Sequence, residues 1–175
     1  MKKNIFSIFA LAMLLFAASS CSKEDVGGTA TVETAGDWYV TMAAVDENGE
    51  VVDEDFFGNG TFHLLTFNTA ENKSTEMWVS DQEWSYYYPF KCKVTVDQAT
   101  LTFKAEASPN AFYEGENVTI TDGKIVKDGA VTPSGQKADY IEFYISFDDD
   151  GYPAYYEFDK YKISGYRYTG FVADE

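Results

Sequence analysis

Short segments in which apolar residues alternate with polar ones, separated by turn residues at fairly regular intervals, make up most of this chain after residue 35. Residues 140–147 show the alternation best, because Ile141, Phe143, Ile145 and Phe147 would share one face of a strand. Nothing in the sequence after residue 35 indicates a crossover helix between these segments. The pattern therefore predicts an all-β fold with antiparallel strands.

The turn residues divide the chain into candidate strands and predict how they connect. Asp122-Gly123 is a tight-turn dipeptide, and residues 127–139 are the longest polar loop. The candidate strands cover residues 38–45, 51–57, 61–68, 76–80, 90–96, 101–107, 117–121, 124–126, 140–147, 155–159 and 161–171. Neighbours in this series should pair as a meander closed into a barrel, with a β-sandwich as the alternative.

The first 25 residues have the organisation of an export signal. Lys2 and Lys3 precede an apolar stretch over residues 5–18, small residues follow, and the run ends at Cys21. A membrane-spanning helix needs about 20 apolar residues, so this shorter stretch indicates a removable signal over residues 1–20. Cleavage before Cys21 would leave a lipidated cysteine at the start of the mature chain, although Ala18 stands where lipoprotein signals usually carry Leu. The alternative is ordinary cleavage that releases an unlipidated protein.

Residues 21–25, Cys-Ser-Lys-Glu-Asp, resemble the surface-export signal of lipoproteins from gut Gram-negative anaerobes. A solvated acidic tether is the alternative interpretation. Small residues continue to residue 35 without an aromatic side chain, which is typical of a flexible linker. We therefore expect a lipidated cysteine and linker over residues 21–35, a β-barrel domain over residues 36–175, and a lipid-anchored, surface-exposed location at the outer membrane.

The acidic charge of the chain limits its partners. Removal of Lys2 and Lys3 with the signal leaves 11 basic residues against 29 acidic ones, a net charge of −18. Such a chain is unsuited to binding nucleic acid, because the phosphates require a basic protein surface. It is equally unsuited to adsorption on anionic membrane surfaces. Attachment to a membrane therefore falls to the acylated Cys21.

The residue types needed for catalysis or metal binding are scarce. His63 is the only histidine, and Cys92 is the only cysteine besides Cys21. No Gly-x-Ser-x-Gly nucleophile motif occurs, and residues 146–157 imitate a calcium loop only loosely, because Pro153 interrupts it. We predict no catalytic residue, no metal site and no cofactor, with a Cys92–His63 pair as the enzymatic alternative.

Gly36-Asp37-Trp38, at the start of the first strand, resembles the lipocalins and the wider calycin group. The resemblance implies that Trp38 lies at the closed end of a barrel and that Arg167, the one arginine, packs across it. Together with residues 163–171, this region also resembles the lipid-binding putative hydrolase family of bacterial lipoproteins, which is placed among calycin-like barrels. That second resemblance implies a barrel with a lipid or another small apolar ligand.

Aromatic residues are the remaining indication of a binding site, since the chain has 14 Phe, 13 Tyr and 3 Trp. They also serve as core or rim residues in any β protein. A second hypothesis is a glycan-binding or accessory surface lipoprotein of a nutrient-uptake system, and a hydrolase is a third, which no residue pattern supports. The candidate ligand-binding residues are Trp78, Trp84, Tyr86, Tyr88, Phe90 and Tyr156.

Overall fold

The computed structural model of the chain describes residues 28–85 and 87–174. Cys21 and Tyr86 therefore lie outside the described residues, as does the whole of the predicted signal over residues 1–20. The described part contains a short helix, α1 (Tyr152–Tyr156), and a 3-10 turn at Val172–Asp174. Its strands are β1 (Gly36–Val45), β2 (Val51–Asp53), β3 (Phe62–Asn68), β4 (Glu76–Ser80), β5 (Lys91–Asp97), β6 (Thr102–Pro109), β7 (Asn117–Val131), β8 (Lys137–Phe147) and β9 (Lys160–Arg167).

The strands form a closed antiparallel barrel. From β3 to β9 each strand pairs with the next, and β1 pairs with β3 on one side and with β9 on the other. Strand β2 adds a short pairing to the end of β1 that β3 leaves uncovered. The prediction of an all-β barrel is confirmed, and the alternative of a β-sandwich is wrong, because the β1–β9 ladder joins the two edges.

The interior of the barrel is filled with side chains. Alternate residues of each barrel strand point inward, and the largest of them, such as Trp38, Phe62, Phe90 and Phe143, are fully buried. An eight-stranded barrel has an interior just wide enough for its own side chains or one small ligand. Here the side chains occupy it.

One end of the barrel is closed by Trp38 and Arg167. The Trp38 indole N–H donates to Thr66 Oγ1 at 2.8 Å, and the Thr66 hydroxyl donates to the Thr34 carbonyl at 2.6 Å. Thr34 is buried in a turn over residues 30–34, within the segment predicted as a linker. The N-terminal turn therefore covers this end.

The predicted turn at Asp122-Gly123 is wrong. Strand β7 runs through both residues, and Asp122, at φ 54°, forms a bulge where β7 has one residue more than β8. A Cβ on Gly123 would lie 2.5 Å from the Phe103 ring, so glycine here serves close packing against β6. The predicted loop over residues 127–139 is also mostly strand, since β7 ends at Val131 and β8 begins at Lys137.

The predicted strand over residues 155–159 is wrong as well, because Tyr152–Tyr156 form helix α1. Pro153 lies in its first turn, where the missing N–H costs nothing, and Glu157 ends it at φ 60°. Tyr152 and Tyr156 are four residues apart and stack at 5.9 Å. Tyrosine is enriched in strands, so the residue types favoured a strand here, and the stacking of Tyr152 on Tyr156 becomes visible only in the structure.

Candidate functional site

The end of the barrel opposite Trp38 is covered by aromatic side chains from three loop segments and from the adjoining ends of β8 and β9. We call this cluster the aromatic mouth. Residues 54–61 follow β2, residues 81–90 join β4 to β5, and residues 148–159, with α1, join β8 to β9. The aromatic mouth consists of Phe56, Phe57, Tyr87, Tyr88, Phe147, Tyr152, Tyr156, Phe158 and Tyr161.

Phe57 lies at the centre of the aromatic mouth. Its ring stacks on Tyr87 at 5.0 Å and meets Tyr161 at 5.2 Å, Tyr152 at 5.6 Å and Tyr88 at 6.1 Å, measured between ring centroids. Phe57 is partly buried and packs against the core. The Phe57 ring therefore fills a slot. The rings that line this slot belong to Tyr87, Tyr88, Tyr152 and Tyr161.

A carboxylate is hydrogen-bonded to this cluster of rings. Asp150 accepts hydrogen bonds from the Tyr161 hydroxyl at 2.7 Å and from the Tyr152 backbone N–H at 2.8 Å. Burial raises the pKa of the Tyr88 hydroxyl, and the charge of Asp150 raises it further. These hydrogen bonds hold Asp150 in place beside the rings of the aromatic mouth.

Among the described residues, the hydrogen bonds of the segment that carries Phe57 join residues of that segment and of β2 to one another. Asp55 accepts the Gly60 N–H at 3.0 Å, and Gly58 and Gly60 both have positive φ. Strand β2, which precedes the segment, is exposed along its length and pairs with β1 at only two positions. The packing of Phe56 and Phe57 is therefore the main contact between this segment and the barrel.

The segment over residues 81–90 is organised by a buried acid. Asp81 accepts backbone N–H groups of Phe90 at 2.9 Å, Ser85 at 3.0 Å and Glu83 at 3.1 Å. Burial raises the pKa of Asp81 to about 6, against the lowering effect of these hydrogen bonds. Asp81 thus fixes the loop that presents Tyr87 and Tyr88.

A cleft of about 670 Å³ lies where β5 and β6 diverge beyond the Thr95–Lys104 pair. Its lining includes the charged residues Glu76, Lys93 and Glu106 as well as Val94. Such a mixed surface does not suit an apolar chain. The aromatic mouth, with its apolar rings and its loosely attached segment, is the better candidate for binding.

The structure divides the predicted ligand-binding residues between two places. Tyr88, Phe90 and Tyr156 belong to the mouth end, where Phe90 is fully buried beneath Phe147. Trp78 and Trp84 lie on the outer surface of the barrel. Phe56, Phe57 and Tyr161 were not among the predicted binding residues, although the two phenylalanines directly precede Gly58, where the sequence indicates a loop.

Trp84 takes part in a second aromatic group, which we call the outer patch: Asp37, Tyr39, His63, Trp84 and Tyr168. His63 Nδ1 lies 2.8 Å from Asp37 Oδ1. The His63 ring lies 4.7 Å from Tyr168, 5.4 Å from Tyr39 and 6.0 Å from Trp84. Trp84 is 58% exposed, so the outer patch offers an indole surface to solvent.

Trp78 is covered differently. Lys91 Nζ lies 5.2 Å and Lys93 Nζ 5.6 Å from its ring centroid, on the outer face of β4 and β5. The two lysines shield the ring, which leaves Trp78 less available than Trp84.

The two residues of the enzymatic alternative lie on opposite faces of the barrel wall. Cys92 is fully buried in the core, and burial raises its pKa to about 12. His63 faces outward in the outer patch. In the part of the chain that the structure describes, no group of three or more His, Cys, Asp or Glu side chains is placed to hold a metal ion.

The chain was compared with known proteins. A family model described as lipid-binding putative hydrolase matches residues 23–172, which confirms the resemblance found in the sequence. The comparison with curated proteins gave no match. Among the described residues, no helix has the length and apolar character needed to cross a membrane.

Proposed function

The chain belongs to the lipid-binding putative hydrolase family, and we propose that it is a lipid-anchored surface protein whose aromatic mouth binds an amphiphile. The family and the barrel fold support a lipid-binding role. The observation that carries the proposal is the position of Phe57, a single ring in a slot lined by four other rings.

A ligand chain can enter only where side chains can move. The interior residues are held by strands on all sides. Phe57 instead lies in a segment that contains two glycines with positive φ and follows β2, which pairs with β1 at only two positions. Withdrawal of this segment would expose the faces of Tyr87, Tyr88, Tyr152 and Tyr161. An alkyl chain taking the place of Phe57 would gain about 0.8 kcal/mol for each methylene removed from water.

This binding mode makes Phe57 a competitor of the ligand. The test is titration of the purified chain with decyl maltoside below its micellar concentration, followed by calorimetry and native mass spectrometry. Phe57→Ala should bind several-fold more tightly than the wild type, because the competing ring is gone. Phe171→Ala is the matched control, since Phe171 is 60% exposed and follows β9 at the Trp38 end.

Two results would count against the proposal. Weaker binding by Phe57→Ala would mean that the ring contacts the ligand instead of competing with it. The amphiphile-binding function would be excluded if neither the wild type nor Phe57→Ala bound decyl maltoside. Near-ultraviolet circular dichroism must show that both proteins are folded.

The anchor part of the proposal is supported by the sequence before the barrel. An apolar run of signal length is followed by Cys21, and the acidic charge of the remaining chain leaves lipid as the means of attachment. Cys21→Ser should move the protein from the detergent phase to the aqueous phase in a phase-separation assay. Labelling of intact cells should reach the wild type, and replacement of residues 22–25 by alanine should abolish that labelling if these residues direct surface export.

A second candidate function, glycan binding, is favoured by the outer patch. An indole that is 58% exposed beside polar His63 and Asp37 has the flat apolar face and the hydrogen-bonding groups that sugar rings use. Trp84→Ala should remove hits on a glycan array, and Trp78→Ala should keep them, because lysines cover Trp78. Identical hits for both variants and the wild type would exclude the outer patch as a glycan site.

A further inference from the structure

The segments that build the aromatic mouth are strongly acidic. Residues 54–61, 81–90 and 148–159 contain nine Asp or Glu residues and no Lys, Arg or His. Asp148, Asp149 and Glu157 are exposed around helix α1. The aromatic rings are therefore surrounded by negative charge, while a lipid-binding site for fatty acid anions would need positive charge.

The structure contains two signs of this negative field. Burial raises the pKa of Glu116, and the charges of Asp149, Asp148 and Asp150 raise it further. Two basic residues directly follow mouth segments, and both are directed to the outer face of the barrel. Lys91, after residue 90, lies with its Nζ 5.2 Å from the Trp78 ring centroid, and Lys160 follows residue 159. The Lys160 Nζ lies 4.7 Å from the Tyr144 ring centroid and 3.7 Å from Asp159.

The rings add a second attraction for positive charge. Ring faces of tyrosine and phenylalanine attract ammonium groups by roughly 0.5–2 kcal/mol each, and more when water is excluded. Tyr88 and Tyr152, whose centroids are 6.1 Å apart, flank the place of the Phe57 ring. Asp150, which accepts a hydrogen bond from the Tyr161 hydroxyl at 2.7 Å, supplies a carboxylate beside these rings.

We infer that the aromatic mouth selects amphiphiles with a positively charged head group. This inference rests on the proposed function, since the alkyl chain takes the place of the Phe57 ring. The head group then lies against the tyrosine faces and the carboxylates of Asp148, Asp149 and Asp150. An anionic head of the same size would be repelled by these carboxylates and would meet no basic side chain of the three segments.

The test uses three probes with one decyl chain and different heads: decyltrimethylammonium, decyl maltoside and decanesulfonate, each below its micellar concentration. At low salt the cationic probe should bind roughly tenfold more tightly than the uncharged one, and the anionic probe should bind most weakly. In about 0.5 M salt the difference between the cationic and uncharged probes should shrink to about twofold.

Two variants distinguish attraction by the charges of the aromatic mouth from attraction by the overall negative charge of the chain. Asp149→Asn removes one exposed charge beside α1, and Asp128→Asn removes one exposed charge on β7 near its Val131 end. Asp149→Asn should weaken binding of the cationic probe several-fold and leave the affinity for decyl maltoside unchanged. Asp128→Asn should leave both affinities unchanged.

The outcomes distinguish this inference from the function on which it rests. Equal binding of the three probes, or tightest binding of decanesulfonate, would overturn the charge selection and leave amphiphile binding standing. Equal effects of Asp149→Asn and Asp128→Asn would show attraction to the overall charge of the chain, and would also overturn it. Failure of all three probes to bind would contradict the proposed function itself.

Discussion

The guanidinium carbon of Arg167 lies 4.3 Å from the centroid of the Trp38 ring, and the two residues are direct partners in the β1–β9 ladder. The same guanidinium donates from Nε to Asp139 at 3.1 Å and from Nη1 to the Ala35 carbonyl at 2.8 Å. One side chain thus joins the strand pair that closes the barrel to the turn that covers its end. The pair has a structural role, opposite the aromatic mouth.

Replacement of Arg167 should destabilise the barrel. Arg167→Ala removes the cation–π contact and leaves Asp139, which is 16% exposed, with one cation fewer, so we expect a loss of about 2–4 kcal/mol in the free energy of unfolding. Arg167→Lys keeps the charge but not the planar fork, and it should recover only part of the loss. Urea denaturation measures both, and equal stability of Arg167→Ala and the wild type would contradict this role.

Gly36 and Arg167 should be energetically coupled. A Cβ on Gly36 would overlap the Arg167 guanidinium, so Gly36→Ala should cost about 1–3 kcal/mol in the wild type. In the Arg167→Ala background the guanidinium is gone and Trp38 Cε2, at 3.1 Å, is the tight contact that remains, so the same change should cost less. A double-mutant cycle by urea denaturation measures the coupling energy. Additive effects would show that Gly36 is needed for another reason.

The buried carboxyl of Asp81 should make the protein more stable as the pH falls below neutral. Its pKa is about 6 in the folded chain against an ordinary value of 3.8, because burial disfavours the charged form. The folded state therefore binds the proton more tightly, and stability should be lost as the pH rises from about 4 through 6, by up to about 3 kcal/mol.

Asp81→Asn is the control for this prediction, because asparagine does not titrate. Unfolding free energies measured between about pH 4 and pH 7.5 should show the loss in the wild type, and the difference between the two proteins should follow one ionisation near pH 6. A parallel pH dependence of both proteins would assign the effect to another group.

Glu142 should have the opposite dependence on pH. It lies 2.7 Å from Lys162 Nζ and 2.9 Å from Lys124 Nζ. Burial would raise its pKa, but these lysines and the Tyr140 hydroxyl outweigh burial and lower the pKa to about 2. Its contribution to the free energy of unfolding is fully present above pH 4.5, the ordinary pKa of a glutamate. This contribution is lost as the pH falls through the folded-state pKa of about 2.

We therefore expect Glu142→Gln to lose about 1–2 kcal/mol at neutral pH, an amount reduced by solvent screening of the exposed Lys124. The loss should shrink as the pH falls towards 2, where about half of the wild-type carboxyl is protonated, and should vanish below that pH. Acid-induced unfolding followed by circular dichroism gives this comparison. A constant difference down to low pH would mean that packing, not charge, holds Glu142.

Much of the barrel was predictable because alternation along a strand directly reports which face is buried. The inward face of β8, from Ile141 to Phe147, follows from period two alone. The errors arose where one residue type is compatible with two structures. Asp122-Gly123 suits a turn and a bulge equally, and only the packing of Phe103 on Gly123 decides between them.

The aromatic mouth was less predictable, because its rings come from three segments far apart in sequence. The composition indicates aromatic binding surfaces, and Tyr88 and Phe90 are among the ligand-binding residues predicted from the sequence. Nothing local shows that Phe57 fills the space between Tyr88 and Tyr161, since that contact depends on how the loops meet at one end of the barrel.

The sequence by itself determined the fold class, the family, the acidic charge and the pattern of a signal before Cys21, because each is written in local order or composition. The tertiary structure alone decided that the interior is filled, that Trp84 is exposed while Trp78 is covered, and that Phe57 occupies the centre of the mouth. These features depend on contacts between distant segments, and a linear pattern does not encode which side chains meet once the barrel closes.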